Sequence, residues 1–350
     1  MYPWDAESDA AYASRLKRGE DKIICLTATY SPKHDVIIVV TDDLRMTFFK
    51  VTSRGNVTDG TVKPAGRVRT ESQQHVVAVD DGSDRVFTAG VEKEVTVWSL
   101  REVKQKHADD TQRGTHLYSA TPESLLSDQT EKVTSILVIT DVPLSLSLLL
   151  TSSLSSQIIT YDLLTLTPLR RLSGHTSGVR TMCYDGMGGL YSGGFEYDVF
   201  VWDLESSAEY PVNKLVGGHF AGIVKVESPY QSGRLCSLDD TGRFAWWDVR
   251  RTVVVENHDR LLQSFTTTPS VTSTFSATTY TTPALLHSTN GMTIIAAGKK
   301  IVAFDSIDVR PKEAPPDTAI YNPVGHSFTT VHDRDLKVSE CVCVCVYYYF

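Results

Sequence analysis

Residues 174–204 read GHTSGVRTMCYDGMGGLYSGGFEYDVFVWDL, and residues 218–249 read GHFAGIVKVESPYQSGRLCSLDDTGRFAWWDV. Each stretch opens on Gly-His and closes on an aromatic run ending in Trp-Asp. His175 and His219 stand 44 residues apart, and Trp202 and Trp247 stand 45 apart. Similarity at a fixed spacing, matched at both ends of the unit, marks a repeat architecture. In such a fold each unit cannot bury its apolar face alone and stacks on the next.

Working outward, four more segments keep the rhythm with looser spelling. Residues 86–100 (VFTAGVEKEVTVWSL) end on Trp98, and residues 148–163 (LLLTSSLSSQIITYDL) place Tyr161-Asp162 where Trp-Asp stood. Residues 36–51 (VIIVVTDDLRMTFFKV) put Phe49 in the tryptophan place, and residues 291–305 (GMTIIAAGKKIVAFD) put Phe304 there. Runs such as residues 36–40, 95–97 and 158–160 are β-branched, which suits a pleated surface, and Gly, Asp and Ser clusters bound them as turns. Long 3.6-residue stripes are absent apart from one candidate helix near residues 4–18. The expectation is an all-β fold of stacked sheets. Residues 102–131 read as a polar insertion between two units. Residues 264–282, dense in Thr and Ser, read as a loop, and the Pro-rich stretch after Arg310 reads as leaving the fold.

The paired Gly-His and Trp-Asp signatures resemble the WD-repeat family. That resemblance implies a β-propeller of about seven blades, or an incomplete ring, each blade being a four-stranded sheet around a central channel. It divides the chain into a polar segment (1–20), the propeller (21–310) and a Pro-rich, low-complexity tail (311–350). It also implies a hydrogen-bonded chain of His, Ser or Thr, carboxylate and Trp in each full unit. Here the first set is His175, Ser192, Glu196 and Trp202, and the second is His219, Ser237 and Trp247. In the second set the carboxylate place falls on Thr241, with Asp240 one position early. Thr88, Glu92 and Trp98 match in the weaker unit. More narrowly, residues 148–250 are similar to large WD-repeat proteins of ciliated eukaryotes, some of which carry EF-hands; no EF-hand loop occurs here.

The resemblance implies a non-catalytic scaffold that binds other proteins on the loop-rich top of the ring. The positions that face that surface in the family fall on Arg180, Val224, Phe195 and Asp240. The narrower resemblance adds the alternative of an axonemal or cytoskeleton-associated component.

Composition narrows the alternatives. The chain has 350 residues, 41% hydrophobic and 22% charged, with a net charge of −8. That is a globular balance, and it lacks the broad positive field that captures phosphate backbones, so nucleic acid is not the expected partner. The polar N-terminus has no apolar signal core, and residues 142–150 are too short to span a bilayer. The expectation is a cytoplasmic protein without a membrane partner, extending to cilium or cytoskeleton on the narrower resemblance. Cys25, Cys183 and Cys236 sit singly in apolar runs and read as small core residues. Cys341, Cys343 and Cys345 alternate in the tail, too few to complete a metal site alone. No phosphate loop, dinucleotide fingerprint, His-Glu-x-x-His motif or nucleophile elbow appears. No cofactor, metal or catalytic residue is expected. An enzyme would need titratable groups converging at the channel mouth, and beyond the His–Ser–carboxylate sets the sequence offers none.

Overall fold

The computed structural model describes residues 25–52, 61–104, 116–228, 233–241, 243–249, 261–266, 284–287, 292–297, 300–305 and 329–331. The candidate helix near residues 4–18, the tail cysteines and most of the Thr/Ser-rich stretch lie outside them. Within them the protein is all-β. Among the described residues no helix is long and apolar enough to cross a membrane.

Twenty-four strands form six antiparallel sheets, each built from four strands consecutive in the chain. Sheet one holds β1 (Cys25–Ser31), β2 (Val36–Thr41), β3 (Arg45–Thr52) and β4 (Thr61–Arg69). Sheet two holds β5 (Gln74–Asp80), β6 (Arg85–Gly90), β7 (Val95–Lys104) and β8 (His116–Leu126). Sheet three holds β9 (Val133–Asp141), β10 (Leu146–Ser153), β11 (Gln157–Asp162) and β12 (Pro168–Ser173). Sheet four holds β13 (Val179–Tyr184), β14 (Gly189–Gly194), β15 (Val199–Asp203) and β16 (Asn213–Leu215). Sheet five holds β17 (Ile223–Glu227), β18 (Arg234–Asp239), β19 (Arg243–Asp248) and β20 (Leu261–Thr266). Sheet six holds β21 (Ala284–His287), β22 (Met292–Ala297), β23 (Lys300–Asp305) and β24 (Thr329–Val331).

Each of the six units placed in the sequence has become one sheet. The marker residues Phe49, Trp98, Tyr161, Trp202, Trp247 and Phe304 all fall on the third strand. No seventh sheet occurs among the described residues. One expectation is corrected in part: of the stretch 102–131 read as an insertion, residues 102–104 belong to β7 and residues 116–126 form β8. The short β24 pairs with β23 and lies beyond residue 310.

The same turn is used again and again. The residue just before the second strand is left-handed in five sheets: Asp35, Asp84, Ser145, Gly188 and Gly233. Gly adopts that conformation without strain, and Asp tolerates it better than most side chains. In sheets one, two, four and five its carbonyl accepts the N–H of Val51, Leu100, Leu204 or Val249, each two residues past the marker aromatic of strand three.

The sheets stack through their first strands, with β1 against β5, then β9, β13, β17 and β21 in turn. Four apolar cores lie between sheets one and two, two and three, three and four, and four and five. Period-two alternation feeds both faces of an inner sheet. In β6, Val86 faces sheet one while Phe87 and Ala89 face sheet three. In β14, Leu190 faces sheet three and Tyr191 faces sheet five. Trp98, Tyr161, Trp202 and Trp247 each pack toward the preceding sheet.

The outer strands are blunt. Pro64, Pro122 and Pro168 occupy one position on β4, β8 and β12, opposite Phe49, Trp98 and Tyr161, each beside a register shift. All three are exposed. Proline belongs at such edges and bulges, since it cannot donate to a ladder. The outer strand β16 has only three residues.

Candidate functional site

In sheets two to five the polar chains form at the end where strand one begins. In sheet four the indole N–H of Trp202 donates to Ser192 Oγ at 2.8 Å, Ser192 Oγ meets His175 Nε2 at 2.7 Å, and His175 Nδ1 meets Glu196 Oε2 at 2.7 Å. Glu196 Oε1 accepts the Thr176 hydroxyl and the Thr176 and Ser177 backbone N–H groups. An ionised carboxylate only accepts and an indole only donates. The protons therefore run one way: indole to serine, serine to Nε2, and Nδ1–H to Glu196. The extra methylene of glutamate lets the carboxylate reach the loop and the imidazole together.

Burial works to raise the Glu196 pKa. The hydrogen bond from His175 and the bonds from Thr176 outweigh it, and the pKa falls from 4.5 to about 2. The imidazole lies with its centroid 3.9 Å from that of Phe200, and Ser192 is wholly buried. This serine, histidine and carboxylate match a hydrolytic triad in residue type, but no substrate carbonyl can reach a buried hydroxyl already holding an indole. The set ties a loop to a strand, and every buried polar atom in it is satisfied.

Sheet five repeats the chain with one correction. Trp247 Nε1 donates to Ser237 Oγ at 2.7 Å, and Ser237 Oγ meets His219 Nε2 at 2.5 Å. The carboxylate is Asp239, whose Oδ2 lies 3.1 Å from His219 Nδ1; it is neither Thr241 nor Asp240. Asp239 ends β18, so its short side chain reaches the ring from the strand. Its second oxygen caps the hairpin, accepting the Thr241 N–H and hydroxyl and the Arg243 N–H. Burial raises its pKa, and the bonds from His219, Thr241 and Arg243 bring it below the usual carboxylate value.

The glycine of Gly-His has a packing reason. A Cβ on Gly218 would stand 2.3 Å from Trp247 Cζ2, and the indole cannot swing away without losing Ser237. Gly218→Ala is expected to destabilise by about 1–3 kcal/mol through overpacking. A urea midpoint unchanged from the parent would refute this.

Sheets two and three carry reduced forms. Trp98 Nε1 donates to Thr88 Oγ1 at 2.8 Å, while Glu92 is exposed on the hairpin. The histidine place, four residues before strand one, is Thr70 in sheet two and Gln129 in sheet three; both are buried. Sequence reasoning missed Gln129. Its amide donates to Thr151 O at 3.0 Å and Thr151 Oγ1 at 2.7 Å, so a side chain in the histidine place again ties the loop to strand two, here as a donor where the imidazole accepts.

Three of the four candidate binding residues come together above these chains. Arg180 Nη1 pairs with Asp240 Oδ2 at 2.7 Å, and its guanidinium carbon lies 5.2 Å from the Phe195 ring centroid. Arg180 fills a bulge in β13, and Val224, half-buried, fills the matching bulge in β17. Phe195 does not bury itself; it is 51% exposed. A second arginine-on-phenylalanine pair lies one sheet on, Arg243 at 4.5 Å from Phe220, whose ring is 74% exposed.

Register adds residues that sequence reasoning passed over. Val91, Leu154, Phe195 and Asp240 each sit one place after strand two of their sheet. Each donates its N–H to the residue before strand one: Gln73, Lys132, Gly178 and Gly222. Val91 (55%) and Leu154 (42%) are exposed like Phe195. Three successive sheets thus present an apolar side chain to solvent at one position.

Among the described residues no three His, Cys, Asp or Glu side chains cluster as metal ligands. The sequence matches no family model and no curated protein.

Proposed function

We propose that the six sheets are blades of a β-propeller of the WD-repeat kind, and that the chain is a protein-interaction scaffold. The end face carrying Val91, Leu154, Phe195 and Phe220 receives the partner, with Arg180 and Asp240 among them. The observation that carries the reading is the recurrence of exposed apolar residues at one register position of three successive sheets. An isolated exposed apolar residue is ordinary, whereas a repeated row of them marks a contact surface. Aromatic and arginine side chains are those that dominate binding energy at interfaces. The Trp–Ser–His–carboxylate chains support the blade assignment, since they hold the loops that carry this face.

The test is capture by crosslinking from the protein's own cells, comparing the parent with the Arg180→Ala, Phe195→Ala double variant. The binding residues are half-buried or exposed, so melting should move by less than about 0.5 kcal/mol per site, the usual range for surface changes. A defined set of partners should be recovered with the parent and fall at least tenfold with the variant. Equal recovery by both forms would remove this face from the proposal.

A further inference from the structure

A cleft of about 430 Å3 crosses the outer strands of sheet two, far from the end face. Arg85 opens β6, whereas Val91 lies just past its end. Register puts Arg85 opposite Ser99 and Ser99 opposite Thr121, so the three side chains stand in a row on one face. Arg101, two residues along β7, shares that face. Ser83, Pro122, Glu123 and Leu164, the last from the β11–β12 turn of sheet three, complete the lining.

The charges in and beside the cleft do not balance. Arg85 is fully engaged: Nε and Nη2 grip both oxygens of Glu123 at 3.2 and 3.0 Å, and Nη1 donates to the carbonyls of Leu163 and Leu164. The neighbouring acids are committed elsewhere. Asp84 binds Lys33 and His34, Asp81 binds Ser31, and Asp80 accepts from Ser83 and Gly82. Arg101 is exposed and has no partner among the described residues, and neither have the hydroxyls of Ser99 and Thr121.

A guanidinium and two hydroxyls lining one cleft are the donor types that hold an oxyanion. A carboxylate's two oxygens lie in one plane, whereas a phosphoryl group presents three oxygens in different directions and carries close to two charges. Pro122 and Leu164, the latter 73% exposed, form an apolar wall for the carbon that would bear the group. We propose that this cleft binds a phosphate monoester, with Arg101 as its counter-charge and Ser99 and Thr121 as hydroxyl donors.

The experiment is a titration of the full chain at constant ionic strength with three probes: inorganic phosphate, N-acetyl phosphoserine amide, and the unphosphorylated amide. Saturable binding of the phosphorylated probes, at least tenfold weaker in Arg101→Ala and partly restored in Arg101→Lys, is the expected result. Ser99→Ala with Thr121→Val should weaken binding while melting stays unchanged. Tighter binding of the phosphoserine probe would assign the site to a phosphorylated side chain, and equal binding to free phosphate. Failure of both phosphorylated probes to saturate, or equal affinity in Arg101→Ala, would overturn the proposal.

Discussion

Trp202→Ala is expected to cost about 3–5 kcal/mol, the usual price of deleting a buried aromatic. The indole is buried between sheets three and four, its Nε1 is the donor that anchors Ser192, and its ring shields His175. Removing it opens a cavity and leaves a buried hydroxyl short of a partner, so two costs act together. Trp202→Phe separates them. It keeps much of the packing and loses the N–H, so it should cost roughly 1–3 kcal/mol, the range for a buried group left unsatisfied. Urea unfolding of both variants measures the difference. If alanine and phenylalanine cost the same, the hydrogen-bonded chain rather than the packing dominates at this position.

The second large effect is a dependence on acid. The folded-state pKa of Glu196 is about 2, against 4.5 ordinarily. A group whose pKa is depressed on folding stabilises fully above its unfolded value and loses that contribution as pH falls through the folded one. The carboxylate is part-buried, so solvent screening reduces what the shift contributes to about 1–2 kcal/mol. The parent should therefore be more stable than Glu196→Gln near neutrality, with the gap closing as pH falls from 4.5 toward 2. A gap that stays constant across that window would show that the carboxylate's charge contributes nothing, and that only its loop hydrogen bonds matter.

How far the sequence could be read depended on burial. Third strands carry a buried aromatic, so Trp98, Tyr161, Trp202 and Trp247 mark their sheets in the sequence itself. Second strands such as β2 (VIIVVT) are nearly continuous in apolar residues and are legible for the same reason. Fourth strands were not legible. Residues 121–125 of β8 are all exposed, so no alternation survives there and the segment reads as polar insertion. The polar chains were readable where the residue types were kept, as at His175. They were misread where geometry replaced spelling: Asp239 serves from the strand end, and Gln129 stands in for an imidazole. On the candidate face, Arg180, Phe195 and Asp240 were found from the signature alone. Val91 and Leu154 emerge only when register shows that they share the Phe195 position.

The prolines of the outer strands bear on how these molecules behave in a crowd. A sheet grows into a fibre by strand addition, each newcomer laying its backbone along an open edge. On β4 and β8 that newcomer would meet a pyrrolidine ring and a kinked register within its path, on β12 the same pair at the first residue of the strand, and on β16 a template only three residues long. In polymer terms these four edges are capped chain ends. Dense storage or tethering in rows would bring these four flanks together without their nucleating cross-β growth.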